Sequence, residues 1–84
     1  MSKTAIITGG NKGIGLAVAK DLISKNYKVI IGCRDTVKGK MAEEYLGNNA
    51  HFLELDLSKQ ASVLQFVKQI NNNFSEIDLS LIHI

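Results

Sequence analysis

The sequence has no proline, a single cysteine and almost no excess charge: ten Lys and Arg stand against eight Asp and Glu, a net charge of +2. Each shortage excludes something. Without proline, repeats or a compositionally biased stretch, nothing in the chain reads as a linker or low-complexity segment. Cys33, being alone, cannot form an internal disulfide, so a reducing compartment is expected. No apolar run approaches the roughly 20 residues that span a bilayer. The opening Met1-Ser2-Lys3-Thr4 leads into a short β-branched run and lacks the apolar core and cleavage pattern of a secretory leader. The sequon Asn73-Phe74-Ser75 therefore has no expected use, and the protein is expected to be cytoplasmic, without a membrane partner. The basic residues are scattered, with no run of three, which excludes a nucleic-acid-binding stripe.

What is present is ordinary globular material, 45% apolar and 21% charged over 84 residues. That length makes one small domain at most. A chain of this size buries only about 60–65% of its unfolded surface, so its core margin is thin.

The pattern alternates strands and helices. Lys3 to Thr8 is a β-branched run stopped by Gly9-Gly10. Gly13 to Lys25 reads as a helix, with Gly15, Val18, Ala19, Leu22 and Ile23 on one stripe and Asn26 as its end. Lys28 to Cys33 is a second strand, apolar on both faces at Val29-Ile30-Ile31, as a buried parallel strand should be. Thr36 to Leu46 is a second helix, its stripe expected at Val37, Met41 and Tyr45 and its stop at Gly47. His51 to Leu55 is a third strand. Ser58 is the expected N-cap of a third helix whose stripe is Val63, Val67, Ile70 and Phe74, flanked by Leu64. Asp78 to Ile84 is a fourth strand. The order βαβαβαβ implies a parallel sheet with right-handed crossovers.

The informative segment is Thr8-Gly9-Gly10-Asn11-Lys12-Gly13-Ile14-Gly15, between the first strand and the first helix. Phosphate binding needs glycine there for three reasons: a sharp turn, close approach of backbone to the pyrophosphate, and tight packing of helix on sheet. The helix N-terminus then offers free N–H groups and a positive dipole end. A plain strand-to-helix turn would take one glycine, whereas this loop has four within seven residues. No Gly-Lys-Ser/Thr follows at the spacing of a Walker loop.

Thr-Gly-x-x-x-Gly-Ile-Gly, at 8 to 15, resembles the cofactor signature of the short-chain dehydrogenases/reductases. The longer run to Ala17 is most similar to the carbonyl reductase branch, and the similarity extends from Lys3 to about Leu79. The resemblance implies a partial Rossmann fold with four strands in the order 3-2-1-4 and a nicotinamide dinucleotide as partner. It implies cofactor contacts from Gly9, Asn11, Lys12, Gly13, Ile14 and Gly15.

NAD sites commonly carry an acid at the end of the second strand, for the ribose 2′-hydroxyl. Cys33 occupies that position here, and Arg34 follows it. A guanidinium can hold a 2′-phosphate through paired donors, where a carboxylate would repel it. Lys12 would add a second positive charge on the same phosphate. The charge logic therefore favours NADP(H). Two plainer readings stand beside it: Lys12 as a solvated loop lysine, and Arg34 as a surface arginine paired with Asp35. Asp56 and Leu57, after the third strand, correspond in the family to a carboxylate and a backbone amide at the adenine; Asp56 also reads as a turn aspartate. Cys33 itself is expected to be a small buried filler, and His51 and His83 have no partners at metal-ligand spacing.

The family's proton-transfer signature is Tyr-x-x-x-Lys, aided by a serine. Neither Tyr27 nor Tyr45 is followed by lysine at that spacing, no serine can be given the orienting role, and after Leu79 the expected Asn-Asn-Ala-Gly is absent. The chain is thus expected to be the amino-terminal part, 1–84, of a single NADP(H)-binding domain, truncated after strand four and catalytically incomplete as written. The family's activity is NADPH-dependent reduction of carbonyl compounds. The alternatives are a non-enzymatic interaction module, self-associating through the apolar run at Leu79, Leu81, Ile82 and Ile84, or a truncated product without function. Marginal stability is expected of the chain alone.

Overall fold

The computed structural model describes residues 3–8, 13–73 and 78–83, with side chains described for 3–8 and 13–70. Its elements are β1 (Lys3–Thr8), α1 (Gly13–Ser24), β2 (Tyr27–Cys33), α2 (Thr36–Leu46), β3 (Ala50–Glu54), α3 (Gln60–Asn73) and β4 (Asp78–His83). All strand pairings are parallel, and the order is β3-β2-β1-β4. The boundaries fall within one residue of the sequence reading except at the start of α3, where Ser58 is not the cap and the helix begins at Gln60.

Side chains alternate across the sheet because successive residues of a strand point to opposite faces. Ile7, Val29 and Ile31 join Ala19 of α1 and Ala42 of α2 on one face. Ile6 and Ile30 join Leu55 and the α3 residues Phe66 and Ile70 on the other. Burial on both faces explains why β2 is apolar from Val29 onward.

The α1 stripe is as the periodicity indicates, with Gly15 and Ala19 buried and Val18, Leu22, Ile23 and also Leu16 packed against the same core. The chain leaves α1 at Asn26, whose φ of 69° is the left-handed conformation that asparagine tolerates better than most residues.

In α2 the expected stripe is reversed. Val37, Met41 and Tyr45 are 67%, 64% and 62% exposed, and the buried face is Gly39 and Ala42, with Leu46 packed beside them. The cause is the Phe52 ring of β3: a β-carbon on Gly39 would overlap three of its carbons. Only a small residue lets the helix lie that close. The chain leaves α2 through Gly47 at φ 93°, whose N–H donates to Glu43 O at 3.1 Å, a glycine stop as the sequence indicated.

In α3 the buried residues are Phe66 and Ile70, with Val63 partly buried. Val67, expected in the core, is 47% exposed, and Leu64 is outside it too. Phe66 fits because Gly32 of β2 leaves room: a β-carbon there would stand 3.0 Å from both Leu55 Cδ2 and Phe66 Cε1. Phe74 lies outside the described residues.

The outer strand β3 has its backbone tied from the side. Glu43 Oε2 accepts from Phe52 N–H at 2.8 Å, which occupies a donor that a strand at the sheet margin would otherwise present to another chain. Among the described residues, no helix is long and apolar enough to cross a membrane.

Candidate functional site

Parallel strands all end at the same margin of a sheet. Thr8 is in register with Gly32, and Cys33 with Glu54, so the ends of β1, β2 and β3 form one row. The N-terminus of α1, at Gly13, is separated from Thr8 by four residues and opens at the same margin. On either side of β1 the sheet is built from different directions of the chain, β2 on one side and β4 on the other. Such a margin, at such a switch, is where open parallel sheets bind ligands.

Gly13 begins α1 with φ 30°, and a β-carbon there would meet nothing within 4 Å, so its backbone faces open space. Ile14 is 73% exposed, and Gly15 is buried against the sheet. The first turn of α1 has no acidic residue, so no acid of the helix itself offsets its positive end. Gly9, Asn11 and Lys12 lie outside the described residues.

At the end of β2, Cys33 is buried and Arg34 is exposed. Burial pushes the Cys33 thiol up, opposed by its hydrogen bond to Asp35 O at 3.4 Å. The filler role expected of Cys33 is thus what the structure shows. Arg34 is not paired with Asp35: among the described residues the one ion pair is Lys25 with Asp21, at 3.1 Å. The Asp35 carboxylate instead caps α2, its Oδ1 accepting from Lys38 N–H at 3.0 Å.

After β3, Asp56 makes a tight turn. Its Oδ1 accepts from Ser58 Oγ at 2.6 Å and from Ser58 N–H at 3.0 Å. The Ser58 hydroxyl, then its N–H, hold the Asp56 carboxyl below the usual carboxylate range, and the charges of Lys59 and Arg34 add to this. The turn reading of Asp56 is therefore correct as geometry, and it occupies one carboxylate oxygen. Leu57, beside it, is 59% exposed at the same margin. The structure thus gathers Gly13, Ile14, Arg34, Asp56 and Leu57 along one edge, with Gly15 beneath it.

Sequence reasoning missed Ser62. Its Oγ accepts from Asp56 N–H at 2.9 Å and fixes the turn from the first turn of α3. The available signal was its place as the third residue of that helix, from which capping side chains reach back.

A parallel α/β sheet whose first strand leads through a glycine-rich sequence into its first helix is the pattern of dinucleotide-binding proteins. The sequence narrows it further: the short chain dehydrogenase family matches over residues 3–82, and this chain belongs to that family. It is 36% identical to salutaridine reductase of Papaver somniferum over 92% of its own length and 26% of that protein's. It is 38% identical to carbonyl reductase family member 4 of Xenopus tropicalis, over 93% of this chain and 33% of that one. Among solved structures, 3-ketoacyl-(acyl-carrier-protein) reductase from Brucella melitensis, complexed with NADH, superposes with a TM-score of 0.82 at 32% identity. That match covers 92% of this chain and 32% of the other. The chain therefore spans about a quarter to a third of the length of these relatives. All three are reductases, and members of the family bind nicotinamide dinucleotides.

Proposed function

We propose that this chain is the NADP(H)-binding segment of a short-chain dehydrogenase/reductase that reduces carbonyl compounds, as the resemblance to the carbonyl reductase branch implies. Residues 1–84 are, on this reading, the amino-terminal part of a single dinucleotide-binding domain. One observation carries the choice of NADP(H) over NAD(H): at the end of β2 a buried cysteine stands where an acid would hold a 2′-hydroxyl, and the next residue is an exposed arginine that forms no ion pair among the described residues.

The residues present fit such a cofactor. The start of α1, with no acid in its first turn and with Gly13, Ile14 and Gly15, takes the pyrophosphate together with Gly9 and Asn11. Arg34 takes the 2′-phosphate, with Lys12 as the second cation. Asp56 and Leu57 take the adenine. When bound, the dinucleotide supplies a hydride. The sequence has no Tyr-x-x-x-Lys to move the accompanying proton, so the role assigned to these residues is binding and orientation.

The test is calorimetric titration of the chain with NADP+ and NAD+, for the natural sequence and for Arg34→Asp. Loss of a charge-assisted bond to phosphate is expected to weaken NADP+ about 10- to 100-fold. NAD+ binding should hold or improve. Equal NADP+ affinity before and after the change would reject the assignment.

A further inference from the structure

Arg34 and Asp35 are adjacent in sequence, and an exposed pair of opposite charges would ordinarily neutralise itself. Here it does not, and the reason is local. Asp35 sits at φ −83° and ψ 106°, the extended conformation of an N-cap, with Oδ1 accepting from Lys38 N–H at 3.0 Å. Its carbonyl accepts twice more, from Gly39 N–H at 2.9 Å and from the Cys33 thiol at 3.4 Å. The thiol bond closes across Arg34, so the residues on both sides of the arginine are tied down.

The second acid in reach behaves alike. Asp56 is close enough for the Arg34 charge to act on it, yet its Oδ1 is engaged by Ser58. Each carboxylate is held by its own turn, and neither forms an ion pair with the guanidinium.

We infer that Asp35 is a positioning residue for cofactor choice: by committing its carboxylate to the cap of α2, it keeps Arg34 unpaired for the 2′-phosphate of a nicotinamide dinucleotide. This rests on the NADP(H) reading above and adds the residue that makes Arg34 available. It separates two properties of Asp35 that work in opposite directions. Its charge repels a phosphate, and its cap favours one.

Three forms of the full chain separate them. Asp35→Asn keeps a capping oxygen and removes the charge. Asp35→Glu keeps the charge, but the extra methylene spoils the cap and carries the carboxylate out toward Arg34. Titration with NADP+ and NAD+ gives the ratio of affinities for each. Asp35→Asn is expected to retain or raise the preference for NADP+. Asp35→Glu should lower it about fivefold or more, the scale of a lost cap. Should Asp35→Glu not fold, Lys38→Pro makes the same contrast, since it removes the N–H that holds the Asp35 carboxylate and leaves that carboxylate in place, in a first helical turn where proline is tolerated. An unchanged ratio in Asp35→Glu, with a lowered melting temperature, means a merely structural cap and overturns the proposal. Equal loss in Asp35→Asn and Asp35→Glu overturns it as well. Arg34→Ala distinguishes the underlying reading: if it leaves the preference unmoved, or the natural chain has none, the NADP(H) assignment falls and this proposal with it.

Discussion

Gly39 of α2 and Phe52 of β3 meet with no room for a β-carbon between them, since one added to Gly39 would overlap three carbons of the Phe52 ring. Glycine inside a helix ordinarily weakens it, and replacement by alanine stabilises by roughly 0.5–1 kcal/mol. Here the sign should reverse. Gly39→Ala is expected to destabilise by about 1–3 kcal/mol through overpacking, read as a lower urea midpoint. Phe52→Leu in the same chain should recover part of that loss. A more stable Gly39→Ala would show that the ring yields freely and that the contact does not set the distance between helix and sheet.

Phe66 and Val67 are neighbours on α3 with opposite fates, one buried between Leu55 and Gly32 and the other half in solvent. Phe66→Ala should cost about 3–5 kcal/mol, the usual loss for a buried aromatic. That is a large part of a small domain's total stability. Val67→Ala should be within about 0.5 kcal/mol of neutral. Thermal unfolding followed by circular dichroism measures both. Comparable losses from the two changes would mean that the helix buries a different face in solution.

The Asp56 carboxyl is held low by Ser58, with Lys59 and Arg34 adding to the effect. A lowered value means that the folded chain binds this proton less readily than the unfolded one. The contribution is therefore present above the unfolded carboxylate pKa of about 4 and is lost as the pH falls through the lower folded value. Asp56→Asn should flatten the dependence of the urea midpoint on pH in that acid range. Ser58→Ala, which removes the largest of these causes, should flatten it in the same direction. If both variants keep the natural acid slope, the stability lost there belongs to other carboxylates.

The buried Cys33 thiol is pushed up, so it is protonated at neutral pH and poorly nucleophilic. Iodoacetamide should alkylate it slowly in the native chain and rapidly in denaturant. The raised value favours the folded state below the ordinary thiol pKa, and that advantage is lost as the pH rises through the folded value. Native-state labelling at the denatured rate would contradict the burial.

Much of the fold was legible because its determinants are local. Gly47 and Asn26 end their helices through backbone conformations that their residue types permit. Val29-Ile30-Ile31 announces a strand covered on both faces. The stripes of α2 and α3 were less legible because each helix offers two apolar faces. Val37, Met41 and Tyr45 have ideal spacing, yet they point outward. What decides is the partner surface: Phe52 requires a glycine opposite it, and Gly32 invites a ring from Phe66. Periodicity in one segment contains no record of the shape it must meet.

The candidate site divides in the same way. The sequence alone determined the alternation of strands and helices, the position of the glycine loop between β1 and α1, and the Cys33-Arg34 pair where an acid would favour NAD. These follow from residue type and spacing, which any extended chain displays. Only the tertiary structure decided that Asp35 caps a helix and leaves Arg34 unpaired, and that Ser58 and Ser62 set the Asp56 turn. Those are choices between competing hydrogen-bond partners. A carboxylate bonds to whichever donor the folded backbone brings within reach, and the fold fixes that donor's position.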